Sequence, residues 1–447
     1  MENTRYIEQN IPLFPFSEPN KSAIVGKDEI LIKDKNRNIL LSGNAEFHLD
    51  FLPTPQIHVY VTNKKELSDS EKSGLHVLYD KILFENLFEM TSKKSGNQFE
   101  GFVINSDLFD LSGPSLTFTP SSEPIVGLGD EDTQMQYVIF HLFNFREICV
   151  NKGRYYEAVH IEADNWVIEI KSLAKSESNF KKLKKEGGYG LTHIVCLQKI
   201  DSTFFSGKET IEMLNMLQYF FSFANGAWCN PICAVGFNST GRVWELWSSP
   251  RGPSFSRSES WFDEHHSEQL ENLFPGFMRC WFNDCKNEIL RKAIYWYLNA
   301  VHSNVDIGIV LTQAAFEGMS RGYNINILKK EQKRNDAEAN IRMLFSSLKL
   351  PFPTEITEDT PELKRIAEEL KWNNNTLGAI ILVRNSLVHP QKKYHEKFNS
   401  SMYYETWKLG LWYLELSLLK LCDYSGTYCN RLTAKWIGEV EKVPWEK

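Results

Sequence analysis

The sequence predicts an α+β protein, with a β-rich, sandwich- or barrel-like front part followed by an all-α bundle. Three observations carry that expectation. Up to about residue 200, short runs rich in β-branched and aromatic residues alternate apolar with polar positions, the mark of half-buried strands. After Gly207 the apolar spacing changes to three and four. From about Asp263 onward helical spacing dominates. The length, 447 residues, suits two or three domains. We expect a front domain over 1–262, with a possible internal break near 200, and a helical domain over 263–447.

The strand runs are EFHLDFL (46–52), IHVYVT (57–62), FEGFVIN (99–105), SLTFTP (115–120) and YVIFHLFNF (137–145). EAVHIEADNWVIEIKSL (157–173) reads as a hairpin turning at Ala163-Asp164-Asn165. NKKELSDSEKSG (63–74) is polar and turn-forming. KETIEMLNMLQYFFSFANG (208–226) predicts a helix stopped at Asn-Gly. ICAVGFNSTGRVWELW (232–247) predicts a second hairpin, and SSPRGPSFSRSES (248–260) a loop. Helices are expected over 263–285, 286–302, 305–320, 335–349, 361–389 (broken near 373–375) and 400–424. In the last, Tyr403, Trp407, Leu411, Leu414, Leu418 and Leu421 form one stripe. Short connections make the helices an antiparallel bundle.

Composition narrows the function. Apolar residues are 42% and charged residues 24%, ordinary for a folded protein. No apolar run is long enough for a membrane helix, and MENTRYIEQN lacks the apolar core of a signal peptide, so a cytoplasmic protein is expected. The net charge of −7 argues against a dedicated nucleic-acid binder. It is unevenly spread, however: Asn287 to the end holds 22 Lys and Arg against 19 Asp and Glu, a net +3, leaving −10 on residues 1–286. Eight cysteines form no paired CxxC motifs, and His265, His266, Cys280 and Cys285 do not fit zinc spacing, so no metal and no cofactor are expected. The GxxxxGK[ST], GxGxxG and HExxH signatures are absent.

The one string with chemical content is Arg384-Asn385-Ser386-Leu387-Val388-His389-Pro390. On a helix, Arg384 and His389 would lie about 140° apart. Pro390 disfavours the helical conformation at His389 and ends the helix there. His389 would then sit at a helix C-terminus, where the macrodipole favours its charged form. A fixed cation, an amide and a titratable imidazole are thereby gathered at one helix end. Arg154 and His160 have similar spacing, but in a strand-like segment, and are read as a chance match.

RNSLVHP on a late helix resembles the signature of the HEPN family, and segments over roughly 290–447 resemble ApeA-like members. The resembling segments include AIYWYLNA (293–300), IVLTQAAFEGM (309–319) and LGLWYLELSLLKLCDYSGTYCNRL (409–432). GYGLTHI (188–194), LQYFFSFANGAWCNP (217–231) and VGFNSTGRVWELW (235–247) resemble the front part of such proteins. The resemblance implies a HEPN-like bundle, a homodimer whose two motifs line one cleft, and metal-independent cleavage of RNA in abortive-infection defence against phage. His389 would be the acid–base group, Arg384 the phosphate clamp and Asn385 an orienting group. The front domain would sense a phage-derived trigger or restrain the nuclease. A non-catalytic dimerisation and ligand- or protein-binding module stays open as the alternative.

Gln313 and Glu317, one turn apart, either support the cleft or form a wet helix side. Lys392 and Lys393 follow the motif and could meet RNA backbone. So could Lys181, Lys182, Lys184 and Lys185, or Lys329, Lys330, Lys333 and Arg334, although charge runs are more often solvated surface. Trp228, Trp244, Trp247 and Trp261 cluster where the two parts would meet and are expected to pack in the core or between the parts, with base stacking the alternative.

Overall fold

The computed structural model describes residues 9–34, 36–63, 69–84, 86–108, 113–149, 158–174, 176–329, 336–351, 355–372, 375–389, 394 and 397–446. The α+β expectation holds, with strands in front and helices behind. Strands β1 (Ala23–Lys33), β2 (Ile39–Asp50), β3 (Gln56–Thr62), β4 (Leu87–Ser92), β5 (Gln98–Asp107) and β6 (Ser115–Pro120) form a closed antiparallel barrel in the order β1-β2-β3-β6-β5-β4. Its closing seam pairs Ile30 with Ser92 and Lys33 with Glu89. Alternate residues fill the interior: Ile57, Val59 and Val61 on β3, Leu116 and Phe118 on β6. Between β3 and β4 runs α1 (Asp69–Phe84), where the polar sequence had suggested only turn.

A second sheet follows, built from β7 (Ile125–Leu128), β9 (Tyr137–Phe143), β10 (Val159–Ala163), β11 (Trp166–Ser172), β12 (Leu191–Lys199), β14 (Pro231–Asn238) and β15 (Gly241–Trp247) in the order β10-β11-β12-β9-β14-β15-β7. Short β8 (Gln134–Met135) pairs with β13 (Phe205–Ser206). Both hairpins turn where expected, with Asp164 and Asn165 at positive φ. Helix α2 (Ser176–Glu186) precedes β12, and α3 (Gly207–Asn225) precedes β14. The first turn of α3 is fixed by a capping box between Ser206 and Glu209, and its end by Gly226 at φ 68°.

This sheet is the middle layer. Val138, Phe140, Leu142, Ile168, Val195 and Leu197 point into a core that continues through the helices. Their alternates Ile139, Phe143, Ile194, Val235 and Phe237 point into the barrel-side core. Trp247 wedges between sheet and barrel, its ring 4.4 Å from Phe47. A Cβ on Gly26 or Gly127 would collide with that ring, so both must be glycine. Trp244 and Trp261 are buried on the helical side, so the tryptophans divide between the two cores.

Behind the sheet come α4 (Glu268–Trp281), α5 (Asp284–His302), α6 (Val305–Gly322), α7 (Ala337–Ser347), α8 (Pro361–Glu369), α9 (Thr376–Val388) and α10 (Ser400–Leu421). A π-helical turn, Tyr323–Ile327, continues α6. Phe220 of α3 meets Phe274 and Phe277 of α4 at 5.3 and 5.4 Å, stitching helices to sheet. After α10 the chain is no longer helical: β16 (Thr427–Tyr428) and β17 (Glu441–Lys442) pair across a loop. Among the described residues no helix is long and apolar enough to cross a membrane.

Candidate functional site

Helix α9, TLGAIILVRNSLV, buries Leu377, Ala379, Ile380 and Val383 and packs on α6, α7 and α10. That anchoring leaves the following turn, Arg384 to Val388, partly or fully exposed. Helical geometry ends at Val388, and His389 adopts φ −127°, ψ 78°, the extended conformation that the next residue, Pro390, favours. The His389 amide donates to the Asn385 carbonyl at 2.7 Å, closing the last turn. The Arg384 Nη1 donates to Asn385 Oδ1 at 3.0 Å, so these two side chains form a unit. Arg384 Nε is buried without a partner among the described residues. The His389 side chain is exposed one turn further on.

Gln313 donates to Glu317 Oε1 at 3.0 Å. Glu317 is exposed, but Gln313 is 1% exposed, so the pair is not a wet helix side. The reason is phase: Gln313 shares the inward stripe of α6 with Ile309, Thr312, Phe316 and Ser320. Lys392 and Lys393, Lys330, Lys333, Arg334 and Arg154 lie outside the described residues. His160 is exposed on β10. The front lysine run is helical and largely engaged. Lys181 pairs with Glu177 at 2.7 Å, Lys182 with Glu18 at 2.8 Å and Lys184 with Glu147 at 3.0 Å.

The most concentrated buried charge lies elsewhere and was missed by the sequence reading. Glu415, fully buried on α10, accepts from Tyr297 Oη at 2.6 Å and from Arg431 Nε and Nη2 at 2.9 and 2.5 Å. Burial, aided by Glu415, raises the Tyr297 hydroxyl well above its ordinary value, keeping it a donor. Nearby, Arg146 donates to the carbonyls of Phe262, Asn225 and Ser258 at 2.6, 2.7 and 2.9 Å. Burial pulls its guanidinium below the usual range. A lone carboxylate inside the leucine-rich LWYLELSLLKL (411–421) was the available signal for Glu415. Arg146 had none.

Comparisons with known proteins follow this architecture. Residues 130–258 match the family described as the YopA central domain, and 283–442 match the YopA C-terminal domain. The first spans nearly all of the middle sheet, the second the bundle from α5 and the tail. The chain is similar to the SPbeta prophage-derived uncharacterized protein YopA of Bacillus subtilis (strain 168), with 25% identity over 334 residues, 71% of this chain and 74% of that protein. No solved structure is a significant match.

Proposed function

We propose that the chain is a metal-independent endoribonuclease of the HEPN type, working as a homodimer through its helical part in phage-directed defence. One observation carries the reading. At the exposed end of α9, Arg384 holds Asn385 at 3.0 Å, and His389 leaves the helix with its side chain open to solvent. A guanidinium has five N–H donors, so Arg384 retains capacity for the non-bridging oxygens of a phosphodiester. An imidazole near neutrality can take the proton of a ribose 2′-OH. The 2′-oxygen then attacks phosphorus, the P–O5′ bond breaks, and O5′ receives a proton from a second imidazole. The second copy of the motif in a dimer would supply that proton. The products are a 2′,3′-cyclic phosphate and a 5′-OH end. A relative whose name calls it prophage-derived suits a role in conflict between phages. Such a role would be exercised in the cytoplasm.

The test compares purified wild type, His389→Ala and Arg384→Ala on mixed RNA in EDTA. Wild type is expected to leave cyclic-phosphate ends, and each variant to lose about a hundredfold in rate or more. Equal cutting by all three, with unchanged melting temperatures, would overturn the proposal. So would a wild type that stays inactive even with extract from phage-infected cells. A non-catalytic dimerisation and binding module is the second reading, favoured because the Arg384 and His389 hydrogen bonds are both internal to this segment. It predicts that both variants retain full phage protection in cells.

A further inference from the structure

Two adjoining cavities of about 320 and 330 Å³ open where the middle sheet meets the tail after α10. Both are lined by Arg146, Arg257, Ser258 and Ile437. The walls come from the end of β9, the end of α3, the 255–264 loop and residues 429–437, so both matched family regions contribute. Each cavity has the size of a small-molecule site, roughly 300–1,000 Å³.

Charge on the walls is mixed, and its pairing is informative. Every carboxylate there already has a partner. Glu147 holds Lys184 at 3.0 Å, Glu264 lies 3.9 Å from Arg257, and Glu259 lies 3.8 Å from Arg431 and from Lys408. Asp263 accepts the amides of His265 and Gly438, both at 2.8 Å. Two cations lack such compensation. Arg146 is bound only to neutral carbonyls, with Nε buried and unpartnered. Lys435 is exposed and makes no ion pair among the described residues. Arg431 Nη1, at the same wall, is also buried without a hydrogen bond. A guanidinium this desolvated, with no carboxylate in direct contact and Glu264 as its nearby opposite charge, is costly, and an anion entering the cleft would offset that cost.

The apolar surfaces are as specific. Phe255 lines one cavity, and Trp436 and Ile437 overhang the other at 77% and 46% exposure. An indole left that open offers a face for a flat ring. We propose that the junction cleft binds a nucleotide, its phosphates held by Arg146, Arg257 and Lys435 and its base laid against Trp436. This assignment is independent of the ribonuclease reading. A nucleotide seated there would tie the middle sheet to the tail, which Arg431 anchors to Glu415 of α10.

The test titrates the full chain with ATP, GTP, CTP and UTP separately, and with pyrophosphate, by calorimetry. At least one nucleotide is expected to bind saturably. Arg257→Ala and Lys435→Ala, both surface changes, should each weaken it about tenfold, the loss of one charge-assisted contact. Trp436→Ala should weaken the nucleotide while leaving pyrophosphate unchanged. Melting temperatures without ligand should match wild type for all three. Absence of saturable binding by all four nucleotides would overturn the assignment, as would undiminished affinity in both charge variants.

Discussion

Glu415 and Arg431 show what a single buried charge does in this protein. The carboxylate is fully buried, takes two N–H donors from Arg431 and one hydroxyl from Tyr297, and so leaves its charge matched. Glu415→Gln keeps the shape and removes the charge, stranding Arg431 in the core. Urea unfolding should report a loss of roughly 3–5 kcal/mol, and the double change Glu415→Met with Arg431→Met should recover much of it. A loss under about 1 kcal/mol for Glu415→Gln would mean the pair is not desolvated. At this scale the sequence was legible only where residues that meet are neighbours in the chain. Arg384 bonds Asn385 beside it, and the helix ends at His389, where Pro390 implied. Arg146, Glu415 and Arg431 come from distant segments, and only the fold brings them together.

Elements were more readable than residues, because periodicity is local. The hairpins at 163–165 and 238–241, the break between α8 and α9, and the stop at Gly226 all follow from turn and cap chemistry. Helix α1 was missed because its polar start reads as loop, and β1 and β4 because their closing seam is a long-range pairing. Interhelical approach is likewise invisible in a single chain segment. Gly276 on α4 sits so close to the end of α10 that a Cβ would strike the Cys422 carbonyl. Gly276→Ala should therefore destabilise by roughly 1–3 kcal/mol in chemical denaturation, despite the ~1 kcal/mol that alanine gains in helix propensity. A more stable variant would show that the two helices can slide apart freely.

The middle sheet governs how the whole molecule responds to acid. His141 and His193 lie on its neighbouring strands β9 and β12, and burial lowers both to about 3 from 6.5. Both rings are neutral in the fold, whereas in the unfolded chain they protonate below about 6.5. Their contribution is therefore complete above that pH and is lost as pH falls toward 3, by at most ~1.4 kcal/mol per pH unit for each ring. Urea midpoints measured from pH 7 to 4 should drop accordingly, and His193→Gln should flatten the slope by one ring's share. An unchanged slope would mean that the ring reaches water in the fold. Along β9, β12 and β14 the sheet shows almost no face to solvent: one side belongs to the barrel, the other to the helices. A helical fragment cut at residue 263 would carry an uncovered patch where Phe274 and Phe277 had met Phe220. The bundle is thus not a cassette that recombination could lift onto another carrier intact, and an insertion or swap within this chain is best tolerated outside the shared wall.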